Sequence, residues 1–336
     1  MAKTVNVAVA GLGFMGVTHL RAYQNIRNVR IVAVCDAVRL PVNGVLRGVN
    51  GNIQAADDIH LGKRVKVFRD FNALLADPEV EAVDICTPTA LHAAQVTAAL
   101  TAGKHVLCEK PLAQDAATAR KIVKLAAASG KILMPAMCMR FWPGWSWLKK
   151  VVAERVYGAV LAASFQRVSL RPNWGKNGSH AGGALLDLHI HDTDFVNYLF
   201  GRPAAICSAG VTDATGTVDH VLTQYLYPHG PAVSAEGSWL LPRGFNMGFT
   251  VHCERAMIVF DLSRGTDALQ LHETNKKPRT LKLKNSDGYK EEIACFVNCV
   301  ARGIKPSMVT PQDGLTALEI CAAEEKSVRS GRLVKL

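Results

Sequence analysis

The chain has 336 residues, 49% apolar and 20% charged, an ordinary globular composition with more material than one hydrophobic core usually holds, so two domains are expected. Lysine and arginine total 39 against 28 acidic residues, a formal net charge of +11. These basic residues are dispersed and do not alternate with aromatics, which argues against a nucleic-acid groove and suits steering of anionic ligands. No apolar run reaches the roughly 20 residues of a membrane span. The nine cysteines are scattered without a CxxC pair. Cys295 and Cys299, four apart on one helix, lack a second pair and read as a core face, so reduced thiols in a cytoplasmic enzyme are expected.

Val5 to Ala10 reads as a strand, followed by Gly11-Leu12-Gly13-Phe14-Met15-Gly16 and a helical segment, Val17 to Ile26. Strand, glycine turn and helix together describe a cradle for a dinucleotide pyrophosphate. Gly11 permits the tight turn, Gly13 lets the backbone approach the phosphates, Gly16 lets helix and strand pack closely, and the helix N-terminus offers N–H groups to the anion. Lys3 and Ala8-Val9-Ala10 imitate a signal peptide, but the glycines interrupt its apolar region and a structural N-terminus is expected. The next β-branched run, Val29 to Cys35, ends at Asp36, where a carboxylate can bind the adenosine ribose hydroxyls. Asp36 repels a 2′-phosphate and favours NAD, whereas Arg39 nearby can accommodate NADP. Arg39 to Arg64 is long and rich in Gly and Asn.

Strands are then expected over Val65 to Phe68, Val80 to Cys86, His105 to Cys108 and Ile132 to Cys138. They alternate with helices capped by Asp70, starting near Ala90, and running from Ala116 to Ser129. Six strands alternating with helices imply a doubly wound parallel sheet, whose ligands lie beyond the carboxyl ends of the strands. At those ends stand Thr87-Pro88-Thr89, with His92 one turn into the next helix, and Glu109-Lys110-Pro111.

At these residues the sequence resembles the glucose-fructose oxidoreductase / inositol dehydrogenase / MocA (Gfo/Idh/MocA) family of NAD(P)-dependent oxidoreductases. Its hallmark is a Glu-Lys-Pro at this strand end, with a Thr-Pro and a following His also typical. The likeness runs from the glycine turn to the C-terminal helix. It implies that Lys110 lies beside nicotinamide and substrate, and that Thr87, Pro88, His92, Glu109 and Arg140, just before Pro143, belong to the cofactor site. An arbitrary lysine is a solvated surface group. Lys110, at a ligand-facing strand end, is instead suited to proton transfer, because partial burial beside a cationic ring favours the neutral amine.

The second half changes character. A helix from Gly144 to about Glu154 and a strand from Ala159 to Val168 precede the loop Ser169 to Ala181. Gly182-Gly183 then opens a helix ending near Leu199. From Ala204 to about Lys284 short alternating runs separated by turns predict a mostly antiparallel sheet. Helices from Tyr289 to Arg302 and from Thr310-Pro311 to Gly331 close the chain. The expected fold is α/β. An N-terminal Rossmann doubly wound sheet (1–138) is followed by a C-terminal α+β domain with a large, mostly antiparallel open sheet (139–336), whose last helices can pack back on the first.

Asp187 and His191, four apart, share one helical face. In the resembled family Gly-Gly-x-Leu-x-Asp-x-x-x-His supplies the remaining catalytic groups, which assigns both residues here beside Lys110. Without the motif they would read as a cap and a packing residue. His189-Ile190-His191 imitates a metal-binding HxH, but its neighbours are helical and no further ligands are evident, so no metal is expected. His189 replaces a common family Gly and is assigned, with Arg171, Asn173, Trp174 and His180 of the loop, to the substrate side. Trp142, Trp145 and Trp147 are read as packing. The resemblance implies reversible hydride transfer between nicotinamide and a secondary alcohol of a sugar, cyclitol or other polyol, in a homodimer or homotetramer joined through the open sheet. Two rival readings are an NAD-dependent glycosidase using transient hydride transfer and a non-catalytic NAD(P)- or sugar-sensing regulator.

Overall fold

The computed structural model describes residues 3–49, 57–172, 182–283 and 286–336. The first half of the chain forms β1 (Val5–Ala10), α1 (Phe14–Tyr23), β2 (Val29–Cys35), β3 (Val45–Leu46), β4 (Ile59–His60), β5 (Lys66–Phe68), α2 (Phe71–Ala76), β6 (Ala82–Ile85), α3 (Thr89–Thr101), β7 (His105–Glu109), α4 (Ala116–Ser129) and β8 (Leu133–Ala136). Six of these strands pair in the order β5-β2-β1-β6-β7-β8, every pair parallel. Counting only those six in chain order, the arrangement is 3-2-1-4-5-6, the doubly wound order. Strands such as β1 and β6 are largely buried on both faces because helices cover both sides of a parallel sheet. Asp70 caps α2 through the Ala73 N–H, Asp115 caps α4 through the Thr118 N–H, and Gly130, with φ +66°, ends α4 in the left-handed region.

Two local details differ from the sequence expectation. Helix α1 starts at Phe14 and not at Val17, so Gly16 lies inside its first turn. The Gly- and Asn-rich stretch after Asp36 carries β3 and β4, an antiparallel pair too short for residue periodicity to reveal.

The remainder forms α5 (Pro143–Ala153), β9 (Val160–Leu170), a π-helical turn over Leu185–His189, α6 (Ile190–Phe200), β10 (Ala205–Thr212), β11 (Val218–Leu226), β12 (Ala232–Ser238), β13 (Leu240–Cys253), β14 (Ala256–Asp261), β15 (Leu269–Glu273), β16 (Arg279–Thr280), α7 (Gly288–Arg302), α8 (Pro311–Ser330) and β17 (Val334–Lys335). Nine strands pair in the order β16-β15-β14-β13-β9-β12-β11-β10-β17. All neighbours are antiparallel except β9 and β12. Trp145 of α5 is fully buried and meets Phe249 and Phe260 edge-on at 5.0 and 4.6 Å, so one sheet face is sealed by aromatic packing. Leu161 and Leu222, by contrast, are exposed.

The chain divides into two compact units, Met1–Phe141 with Asp287–Leu315 and Trp142–Ser286 with Thr316–Leu336. Helix α7 belongs to the first, where it packs on α1, β1 and β7. Among the described residues no helix is long and apolar enough to cross a membrane.

Candidate active site

The strand order reverses between β1 and β6, and the glycine turn sits there. Gly11 has φ +87°, and a Cβ on it would lie 2.5 Å from the Cys86 carbonyl oxygen. A Cβ on Gly16 would lie 1.8 Å from the Gly11 carbonyl oxygen, so helix and turn touch backbone to backbone. Gly13 is the N-cap of α1, has no side-chain cap, and a Cβ there would meet nothing within 4 Å. The N-terminal N–H groups of α1, beginning at Phe14 and Met15, therefore open onto unfilled space, a cradle with room for an anion.

Asp36 stands at the end of β2. Its Oδ2 accepts the Leu12 N–H at 2.7 Å, and its Oδ1 accepts those of Val38 and Arg39 at 2.9 and 2.8 Å. Burial alone would raise its pKa, but these amides and the Arg39 guanidinium outweigh burial and hold it below the ordinary carboxylate value. Arg39 donates to the carbonyl oxygens of Leu12 and Arg47.

At the next two strand ends, Thr87 Oγ1 donates to Gln95 at 2.6 Å, and Pro88 is the N-cap of α3. His92 is buried with Nε2 2.7 Å from the Thr87 carbonyl and Nδ1 2.8 Å from the Pro111 carbonyl, pinning the ends of β6 and β7 together. Burial lowers its pKa, the two carbonyls working against that. Glu109 is buried, Lys110 half-buried, and the Lys110–Pro111 peptide is cis.

In the second unit the Gly182-Gly183 pair has positive φ at both positions, and a Cβ on Gly183 would lie 2.3 Å from the Val218 carbonyl oxygen. The chain then enters the π turn carrying Asp187 and passes directly into α6 with His191; both side chains are half-buried. Two buried clamps hold this segment. Arg167 of β9 grips Asp192 in a bidentate pair, 2.9 and 3.1 Å. His189 Nε2 lies 3.2 Å from Glu324 Oε1 of α8, which also accepts the Tyr225 hydroxyl at 2.7 Å.

Residues 5–137 match the Gfo/Idh/MocA oxidoreductase family with its NAD-binding Rossmann fold, and residues 145–259 match the C-terminal domain of the same family. Levoglucosan dehydrogenase of Pseudarthrobacter phenanthrenivorans is 30% identical over 303 residues, covering 80% of this chain and 76% of that one. The chain belongs to the Gfo/Idh/MocA family. Trans-1,2-dihydrobenzene-1,2-diol dehydrogenase of Bos taurus is likewise 30% identical, over 260 residues that cover 73% of this chain and 76% of that one. A solved structure of levoglucosan dehydrogenase in complex with NADH and L-sorbose superposes with a TM-score of 0.83 over 99% of both chains, at 23% identity, a likeness of fold. The protein is thus an oxidoreductase whose first unit contains the family's NAD-binding Rossmann domain.

Within this Gfo/Idh/MocA oxidoreductase, several side chains assigned from sequence also have partners within the fold. The Arg140 guanidinium, expected at the cofactor, is buried and bonds the Met308 carbonyl at 2.8 Å and Asp313 at 3.1 Å, tying the chain after β8 to the α7–α8 connection. Both His92 nitrogens face backbone carbonyls, so His92 joins the ends of the two strands. His189, expected on the substrate side, is fully buried against Glu324, because the π turn directs it at the sheet. Arg171 pairs with Asp213 and Asp219. Asn173, Trp174 and His180 lie outside the described residues. Sequence reading also missed His19, whose donor atom lies within 4.8 Å of those of Asp84 and Cys86. The available signal was Asp84 itself, an acid inside the apolar run Val80 to Cys86, since a carboxylate in a buried strand requires a partner.

Proposed function

We propose that this oxidoreductase interconverts a secondary alcohol and a ketone on a sugar, cyclitol or related polyol, with Lys110, Asp187 and His191 as its catalytic residues. The observation that carries the reading is the half-buried Lys110 at the carboxyl end of β7, in the same unit as the glycine turn. NAD fits the first unit, because the side-chain-free surface at Gly13 is the space a pyrophosphate needs and Asp36 is held ionised where a ribose would present its hydroxyls. When bound, nicotinamide accepts or returns the hydride. The protein's own task is the proton. Lys110 and His191 take it from the substrate hydroxyl or give it back, and Asp187, one helical turn before His191, orients the acceptor. Gly11, Gly13, Phe14, Met15 and Gly16 hold the pyrophosphate, while Thr87, Pro88 and Glu109 frame the nicotinamide side.

NAD is favoured over NADP, because the Asp36 carboxylate repels a 2′-phosphate and Arg39 is engaged by backbone carbonyls. The curated relatives named above act on a sugar derivative and on a cyclic diol, which supports the polyol class. A cytoplasmic homo-oligomer, paired through the exposed sheet face around Leu161 and Leu222, completes the reading. It is tested by a panel of sugars, cyclitols and their keto forms, each with NAD and NADP, followed by absorbance of the reduced nicotinamide. Turnover of at least one polyol with NAD is expected, and none with any member of the panel would overturn the reading. Lys110→Met should lower kcat by about 10²- to 10⁴-fold with NADH affinity nearly intact, and a fully active variant would remove Lys110 from the chemistry.

A further inference from the structure

Behind the Glu109-Lys110-Pro111 strand end lies a closed polar cluster. His19 is fully buried on α1. Its Nδ1 is 2.8 Å from Asp84 Oδ2 in β6, and its Nε2 is 3.2 Å from Glu109 Oε1 at the end of β7, an ion-pair contact. Both carboxylates are buried as well. Nδ1 hydrogen-bonds Asp84, whereas Nε2 makes an ion-pair contact with Glu109 outside hydrogen-bond geometry, and an imidazolium between two buried carboxylates offsets their charge. Burial opposes the imidazolium, but Asp84 and the Cys86 sulfur together outweigh it and hold the His19 pKa well above 6.5. Glu109 is matched in turn: burial raises its pKa, and His19 and then Lys110 pull it below its ordinary value.

The other groups facing this cluster leave its charges in place. Tyr23 of α1 and Tyr289 of α7 have pKa values raised well above normal, chiefly by burial, and stay neutral. The Cys86 thiol is pushed up for the same reason, and Cys138 lies against Tyr289. Glu292 of α7 is a further buried acid that interacts electrostatically with both tyrosines. His19 is thus the cation inside the cluster, with Lys110 at its outer edge.

The cluster reaches the strand end through one carboxylate. Glu109 Oε1 faces His19, while Glu109 Oε2 accepts the Lys110 backbone N–H at 3.1 Å. Helix α1, which opens from the glycine turn, is thereby linked to the Lys110 backbone by charge-assisted contacts through buried groups. We propose that His19 is a positioning residue for Lys110: clamped between Asp84 and Glu109, it fixes the carboxylate that holds the Lys110 backbone. The proposal rests on the reading of Lys110 as a proton-transfer group.

The test compares Lys110→Met, His19→Gln and the double variant His19→Gln/Asp84→Asn in the full-length enzyme, with the best alcohol of the panel. His19→Gln alone leaves two buried carboxylates without their cation and is expected to lose stability. The double variant removes one charge of each sign and should recover it, with NADH affinity and KM within about twofold of the parent. Its kcat should nonetheless fall by about 10- to 100-fold, as for a reacting group displaced by a fraction of an ångström to an ångström. The pH at which kcat rises should move upward, because Glu109, released from His19, leans on the Lys110 ammonium. A purely structural His19 would recover kcat and pH profile along with stability, and that result, with Lys110→Met inactive, overturns the proposal. Full activity in Lys110→Met instead overturns the reading of Lys110. If the double variant does not fold, ¹⁵N-histidine spectra of the unaltered enzyme decide. An imidazole with both nitrogens protonated at pH 8, and not titrating there, is expected; its absence overturns the proposal.

Discussion

A methyl group tells the three glycines of the first turn apart. On Gly16 it would sit 1.8 Å from a backbone oxygen that cannot swing away, on Gly11 2.5 Å from another, and on Gly13 it would meet nothing within 4 Å. Gly16→Ala is therefore expected to destabilise the first unit by about 3 kcal/mol or more, the upper range for overpacking, measured by urea unfolding. Gly13→Ala should leave the urea midpoint nearly unchanged, because the substitution crowds nothing. The same methyl occupies the approach to the N-terminal N–H groups of α1, so NADH affinity, followed by nicotinamide fluorescence, should weaken about tenfold or more, equivalent to about 1.4 kcal/mol. Parental NADH affinity in Gly13→Ala would mean that the phosphates lie elsewhere. The contrast between the two variants separates a glycine needed by the fold from one needed by a ligand.

The π turn over Leu185–His189 shows what lies beyond sequence periodicity at the scale of an element. A helix after Gly182-Gly183 was legible, as were β1, β2, β7 and the Asp70 cap, because β-branched runs and capping residues act locally. The widened turn depends on what the segment packs against. Strand β12 comes so close that a Cβ on Gly237 would lie 2.5 Å from the His189 Cβ, and Asp192 is drawn to Arg167, which is 25 residues away in sequence. Tertiary contacts of this kind leave no spacing rule to read, which is why the burial of His189 against Glu324 was not legible in the sequence. A π turn inserted ahead of an α-helix re-aims the residues around it and recurs at functional sites. Arg167→Met tests the clamp: it leaves Asp192 buried and unpaired next to His191, and should destabilise the second unit by about 3 to 5 kcal/mol. Replacing both partners, as in Arg167→Met/Asp192→Leu, should recover most of that in urea unfolding. A single variant as stable as the parent would show that the pair carries no net weight.

Each unit contains a buried histidine against a carboxylate, His19 with Asp84 and Glu109 in the first and His189 with Glu324 in the second, and these pairs set how the whole molecule answers pH. Glu109 and Glu324 are held below their ordinary 4.5, burial being outweighed by His19 with Lys110 and His92 in the first and by His189 with Tyr225 and Thr193 in the second. Their contribution to stability is complete above pH 4.5 and is lost as pH falls through their lower folded values. His19 is the opposite case, with a folded pKa raised above 6.5. Its contribution is complete below pH 6.5 and is lost as pH rises toward the folded value, at about 1.4 kcal/mol per pH unit while only the folded state holds the proton. All three contributions coexist between pH 4.5 and 6.5, but burial lowers the pKa values of His92 and His105, whose contributions are lost as pH falls below 6.5, so the unfolding free energy should be highest near pH 6.5 and decline on both sides. The alkaline decline is the diagnostic limb, since no lowered carboxylate contributes to it. In His19→Gln/Asp84→Asn it should flatten, while the acid limb governed by Glu324 persists. A parent protein whose urea-derived free energy stays level from pH 6.5 to about 8.5 would mean that folded His19 binds no extra proton. That would remove the imidazolium from the centre of the Lys110 support.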